Sequence, residues 1–298
     1  MFICDTHADT LYEVGYKKNS NPDITLERAK KGGVALQVMA LWTGPKGKAG
    51  DVQGIIAAEL AGLEALKAQG FKQIDDPQKA VEGEVSILLS VEGGEVFESG
   101  IETVADFWQK GVRIAGITWN HENDLGHPAK GGSQEGLTPY GLKVVKEMQR
   151  LKIAVDVSHL NERGFYDIFQ KTGVPPMASH SCCSALRPYF RNLTDEQLRL
   201  LIREGGYVGV NFYGEFLAES NATVETLADH VDYICQLGGG KQVGFGSDFD
   251  GIDIYPVGLR HPGEFPNLIS VFRRRGYSEE DIALIAGKNL LSYFERIA

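Results

Sequence analysis

A recurrence along the chain limits its fold more than any other feature. Eight short apolar runs alternate with helix-period segments: Phe2–Cys4, Ala35–Trp42, Val85–Val91, Arg113–Trp119, Ile153–Ser158, Pro176–Ser179, Tyr207–Phe212 and Val243–Ser247. Most are rich in Val, Ile or Leu, have the length of a buried strand and end at Gly or polar residues. Pro176–Ser179 has the least strand character. Ile55–Leu66, Gly141–Leu151, Asn161–Lys171, Thr194–Arg203 and Val224–Leu237 read as helices between them, and Pro266–Arg275, Ser278–Ala286 and Lys288–Ile297 follow the last run. Asn161, Thr194 and Ser278 stand where N-caps belong, and Gln197 completes a capping box with Thr194. Strands alternating with helices make a parallel α/β protein, and eight strands close a (β/α)8 TIM barrel, here with extra C-terminal helices. A doubly wound open sheet is the alternative. No repeat, low-complexity tract or linker divides the chain, so a single domain over 1–298 is expected.

Composition removes several functions. With 30 Lys and Arg against 40 Asp and Glu the net charge is −10, unlike the basic face that nucleic acid requires. Four cysteines without zinc-ribbon spacing fit reduced thiols. The opening MFICDTHADT has neither a basic nor an apolar leader region, and the closing LLSYFERIA has no anchor signal. No apolar run approaches a membrane span. A cytoplasmic protein without membrane or nucleic-acid partners is expected.

The ends of the runs decide between barrel and open sheet. His7 and Asp9 follow the first run, Glu92 the third, Trp119, Asn120 and His121 the fourth, His159 the fifth, His180 the sixth, Asn211 and Tyr213 the seventh and Asp248 the eighth. A barrel brings such positions together at one face, where its active sites lie. An open sheet would spread them along a line. Taken singly, each has an ordinary reading: a satisfied core histidine, a solvated loop glutamate, an Asx turn in GSDFDG. Together they are harder to dismiss, because His7, His159 and His180, three of only seven histidines, end apolar strands. His230, in a helical segment, and His261, in a loop, read as surface residues. His7 and Asp9, two apart, share a strand face if the strand continues through them. Three His, two Asp and one Glu suffice for two metal ions, and Glu92 has the charge and the two oxygens that a bridge needs. No Lys ends a strand to serve instead.

These residues resemble the membrane dipeptidases, a branch of the amidohydrolase-like metal barrels. The resemblance runs in order through DTHADT at 5–10, SVEGGE at 90–95, VDVSH at 155–159, SHSCCSALRPYFRNLTDEQL at 179–198, GVNFY at 209–213 and GSDFDGI from 246. It implies a barrel with two Zn²⁺, His7 and Asp9 on one ion, His159 and His180 on the other and Glu92 between them. It implies that a hydroxide bridging the metals cleaves the peptide bond of a dipeptide, with Asp248 as acid and base. Arg191 would grip the substrate carboxylate, as a guanidinium fork can, and Tyr213 would line the pocket. Mammalian relatives have a His in an LTH motif, implied to contact the substrate carbonyl oxygen. Here ITW puts Trp119 there, with His121 two residues on as the nearest substitute. A homodimer is the assembly that the resemblance suggests. The rival readings are another binuclear metal amide hydrolase, acting on a lactam or an acylated amino acid, and a non-catalytic metal-binding barrel. The adjacent Cys182 and Cys183, just after His180, read as packing rather than as a thiol nucleophile.

Overall fold

The computed structural model describes residues 1–44 and 52–298. Nine strands are present among them: β1 (Ile3–Asp5), β2 (Val34–Trp42), β3 (Lys72–Gln73), β4 (Ser86–Glu92), β5 (Val112–Gly116), β6 (Ala154–Asp156), β7 (Met177–Ala178), β8 (Tyr207–Val210) and β9 (Val243–Phe245). Every pairing is parallel. β1 lies between β2 and β9, and β2 also pairs with β4 from Leu36↔Ser86 to Trp42↔Glu92, so eight strands close into a barrel. β3 is an addition that the apolar pattern does not reveal: two residues that pair with the start of β4.

Period-two alternation sorts the side chains. Cys4, Leu36, Val38, Leu88, Ile114, Ala154, Met177 and Tyr207 form one buried cluster drawn from seven strands, the barrel interior. Leu290, Tyr293 and Phe294 of the helix Asn289–Ile297 join it, so the C-terminal helix plugs the end where the strands begin. The intervening positions, among them Ile3, Met39, Leu89, Ala115, Val155 and Val208, belong to a second and larger cluster with the surrounding helices. Following the inward set along β4 from Leu88 through Ser90 brings Glu92 inward at the opposite, open end.

The expected N-caps are where sequence places them. The Thr194 hydroxyl accepts from Gln197 N and the Gln197 side chain returns to Thr194 N, while Asn161 and Ser278 cap Glu162–Thr172 and Glu279–Ala283. Two short helices, Leu26–Gly32 and Glu102–Gln109, lie where no helix is expected: both are brief, and the first is rich in charge. His230 corrects a sequence reading. It is fully buried, with Nδ1 accepting from Cys183 N at 3.1 Å and Nε2 3.1 Å from the Leu217 carbonyl, so it ties the segment after β7 to the helix Val224–Ile234. Cys182 and Cys183 are buried, and burial pushes both thiols well above their ordinary value.

The helix Val52–Ala68 supports one wall of the open end. A wide turn, Tyr12–Tyr16, packs against it through Gly15 and Gly62, where a Cβ on Gly15 would meet the Ala58 carbonyl oxygen at 2.2 Å. From the same helix Glu59, fully buried, accepts from Trp42 N at 3.0 Å. Burial raises its carboxyl from an ordinary 4.5 to about 9. An acid raised on folding is stabilised as the neutral form, so its contribution is intact below the ordinary value and is lost as pH climbs toward the folded value. We expect Glu59→Gln to gain stability relative to the parent as pH rises from about 5 to about 8, by up to about 1.4 kcal/mol per pH unit. Denaturant midpoints across that range check this, and a pH-independent difference would refute it.

Candidate metal centre and catalytic cleft

At the open end, side chains from several strand termini meet. Glu92 Oε1 lies 3.7 Å from His7 Nε2, 3.0 Å from His159 Nε2 and 3.5 Å from His180 Nε2. The two latter nitrogens are 3.1 Å apart. His7 Nε2 is also 3.8 Å from Asp9 Oδ2 and 3.8 Å from Asp248 Oδ1. Two overlapping groups therefore have the spacing of metal ligands: His7, Glu92 and His180, and His7, Asp9 and Asp248. His159 joins the first through Glu92 and His180.

The donor set fits a cation. His7 Nε2 and Asp9 Oδ1 are buried with no hydrogen-bond partner among the described residues. Burial drives the Glu92 carboxyl well above its ordinary range, with the Asp9 and Asp248 charges adding to the rise. Burial also works against a charged His7, but the Glu92, Asp9 and Asp248 carboxylates overcome it and lift His7 to about 10. Burial, with Arg191 and His7 nearby, pushes His159 and His180 the other way, toward neutral imidazole. Protein alone must hold protons in this cluster to offset crowded carboxylates. Divalent cations would do so instead, and carboxylate with neutral imidazole is a donor set that suits zinc.

Backbone and neighbours hold the donors in place. His159 and Asp248 both adopt the left-handed region, with φ of 67° and 64°, costly conformations that tend to mark functional positions. Gly251 follows closely, and a Cβ there would lie 2.0 Å from Asp9 Oδ2 and 2.6 Å from Asp248 Oδ1. Gly251→Ala is therefore expected to fold but to displace both carboxylates, cutting metal affinity by about tenfold or more. Metal retention at a fixed chelator concentration measures this, and unchanged retention would contradict it. Asp250, by contrast, is structural: it accepts from the Thr10 hydroxyl at 2.6 Å and from Asp23 N at 2.6 Å.

Above the cluster opens a cleft of about 610 Å³, within the range of small-molecule sites. Asp9, Glu92, His159 and Asp248 reach it, as do Tyr12, Trp42, Trp119, Tyr213 and Phe216. Tyr12, Trp42 and Trp119 form a continuous aromatic wall, with edge-to-face centroid distances of 4.7 and 5.0 Å. Tyr213 and Phe216 make a second edge-to-face pair at 4.9 Å. His121 is not among the lining residues and packs 5.5 Å from the Trp119 ring. Its neighbour Asn120 does line the cleft, with Oδ1 3.0 Å from His159 Nδ1. Arg191 is buried, and its Nε and Nη2 have no partner among the described residues. It lies 5.6 Å over the Phe216 ring and lines a smaller cavity of about 210 Å³ with Ser181, Tyr189 and Asn192. Asn192 fixes this turn by donating to the carbonyls of Arg187 and Phe216, both at 2.8 Å.

Sequence reasoning missed several supporting groups. Asn120 was legible as a strand-end polar residue but had no assigned task. Asn211, likewise legible as a run-end residue without an assigned task, donates to Asp248 Oδ2 at 2.9 Å. Ser179 and Asp156 sit behind His180, in the matched SHS and VDVSH stretches, and they meet only through the pairing of β6 with β7.

A parallel barrel with imidazoles and carboxylates gathered at its strand ends defines the class of metal-dependent barrel hydrolases. Within that class the chain belongs to the membrane dipeptidase family, peptidase family M19, whose sequence model matches residues 1–298. An uncharacterized protein from the pqqA 5′ region of Klebsiella pneumoniae is 34% identical over 266 residues, covering 83% of this chain and 98% of that protein. An uncharacterized dipeptidase of Schizosaccharomyces pombe is 34% identical over 222 residues, 72% of this chain, and the match spans 53% of the yeast protein. Among solved structures, a metallopeptidase of Rhodobacter sphaeroides liganded with a phosphinate mimic of the dipeptide L-Ala-D-Ala superposes with a TM-score of 0.88. It is 28% identical, and the alignment covers 100% of this chain and 99% of that one. No described helix is long and apolar enough to cross a membrane.

Proposed function

We propose that this protein is a zinc-dependent dipeptidase with two metal ions, bridged by Glu92. His7 and Asp9 would hold one ion and His159 and His180 the other. The observation that carries the reading is the position of one carboxylate oxygen, Glu92 Oε1, between three imidazole nitrogens at 3.0, 3.5 and 3.7 Å. Bound zinc would polarise the scissile carbonyl and lower the pKa of a water at neutral pH. The chain's own groups supply the rest. Asp248, raised by burial to about 6, is ionised at neutral pH yet basic enough to take a proton and return it to the leaving amine. The Asn211 amide holds its second oxygen, leaving the first for this transfer. Arg191, with two unpaired nitrogens, would take the substrate's terminal carboxylate and so limit substrates to short peptides. The aromatic wall would shield the reacting bond from bulk water.

Four free cysteines fit a reducing, cytoplasmic setting, and a homodimer is the assembly we propose from family likeness. A panel of dipeptides, their carboxyl-amidated forms, lactams and N-acyl amino acids tests the activity, run with zinc and with chelator. The reading requires zinc-dependent cleavage of free dipeptides and at least tenfold slower cleavage of the amides. Preference for lactams or acylated amino acids would favour the rival amide hydrolase.

A further inference from the structure

We propose that Asp156 and Ser179 are positioning residues for His180, forming a relay that fixes which ring nitrogen faces the metal. This rests on the reading of His180 as a ligand. Asp156 closes β6, and Ser179 follows β7 directly. Asp156 Oδ1 accepts the backbone N–H groups of Ser158 and Ser179, both at 2.9 Å. Its Oδ2 takes the Ser179 hydroxyl at 2.5 Å. A serine hydroxyl has one hydrogen, and an ionised carboxylate only accepts. The hydroxyl hydrogen is therefore committed to Asp156, and Ser179 Oγ turns a lone pair toward His180 Nδ1, 2.7 Å away. Nδ1 must then carry the ring proton. His180 Nε2 is left bare and aimed at Glu92 Oε1, 3.5 Å away. Ser158 backs the arrangement: its Oγ accepts from His180 N at 3.1 Å and lies 3.4 Å from Ser179 Oγ. Asp156, Ser179 and His180 are 5%, 1% and 0% exposed, so water does not compete for these bonds.

His159 is oriented by a separate device. Its Nδ1 meets Asn120 Oδ1 at 3.0 Å, from a half-buried residue after β5. The two imidazole rings thus have separate anchors; Asp156 also holds the Ser158 N–H beside His159, a bond the Asn variant can keep, and a change at Ser179 reports on His180. Groups behind metal-bound histidines fix ring orientation and raise ligand basicity, and their loss typically weakens metal binding 10–100-fold. Here the carboxylate acts through a hydroxyl instead of touching the ring.

Asp156→Asn reverses the relay without emptying it. The amide oxygen can still accept both backbone N–H groups, while the NH₂ donates to Ser179 Oγ. The hydroxyl then points its hydrogen at Nδ1, and the ring proton moves to Nε2. Ser179→Ala removes the link altogether. Nitrogen-15 NMR of the histidine rings in metal-free protein reads the tautomer, and zinc per chain in a chelator-buffered series reads affinity. Thermal midpoints confirm folding. The relay predicts His180 protonated on Nδ1 in the parent and on Nε2 in Asp156→Asn. It predicts one of two zinc ions weakened about 10–100-fold in both variants, with the other ion unchanged. An Asp156→Asn protein that keeps the Nδ1 proton and both zinc affinities would overturn it. If Asp156→Asn does not fold, Ser179→Ala decides alone: parental affinity for both ions refutes the relay. If the parent itself binds no zinc, the metal reading fails, while the tautomer measurement still decides the relay.

Discussion

Replacing Asp248 by Asn is expected to leave zinc content at the parental level and to lower kcat by about 10²- to 10⁴-fold, the usual contribution of a positioned acid–base group. The substitution keeps shape. The introduced amide oxygen can accept from the Asn211 side chain as the carboxylate does at 2.9 Å, and the introduced NH₂ then faces the cleft with no basic oxygen to take up a proton. Parental Asp248 has a carboxyl raised to about 6 by burial. Its activity should therefore fall as pH drops and the base is protonated, below about 6 once bound cations lower the carboxyl, and the variant's residual rate should lack that acidic limb. The carboxylate also lies 3.8 Å from His7 Nε2, within ligand spacing. Metal content measured with the rate separates the roles: zinc lost with activity would make Asp248 a ligand, and full activity would remove it from the chemistry.

Glu92→Gln is expected to have the largest effect on the site itself. Three imidazole nitrogens lie within 3.7 Å of one Glu92 oxygen. An amide keeps an oxygen there but supplies neither the negative charge nor a second equivalent donor. Two cations would then face each other across a neutral group. We expect at least one zinc to be lost under chelator concentrations that the parent tolerates, and activity to fall about 10³-fold or more, the size of several kcal/mol of charge stabilisation. The fold should survive, because Glu92 ends β4 beyond the apolar interior layer and its side chain packs no core. Parental zinc retention in a folded Glu92→Gln protein would rule out a bridging role.

Much of this arrangement is visible in the linear chain, for a physical reason. A buried parallel strand must be apolar, so a charged or imidazole side chain at its end stands out, and a barrel brings all such ends to one face. His7, Asp9, Glu92, His159, His180 and Asp248 are legible in that way. Caps are legible too, because Thr194 and Gln197 interact within one turn. What escapes is whatever depends on packing between distant segments. His230 looks like an exposed helical residue until the segment after β7 is laid across it. Ser179 and Asp156 are 23 positions apart and meet only because β6 and β7 are neighbours. β3 is too short to produce a pattern. His121 shows the limit of counting from a motif: β5 ends at Gly116, before Trp119, and in the loop that follows Trp119 and Asn120 line the cleft while His121 does not.

Elemental analysis of protein purified without chelator tests the central claim most directly. The account predicts close to two zinc ions per chain, with dipeptide cleavage lost on chelation and restored by zinc. A chain that holds no metal, even after zinc is added back, would contradict it.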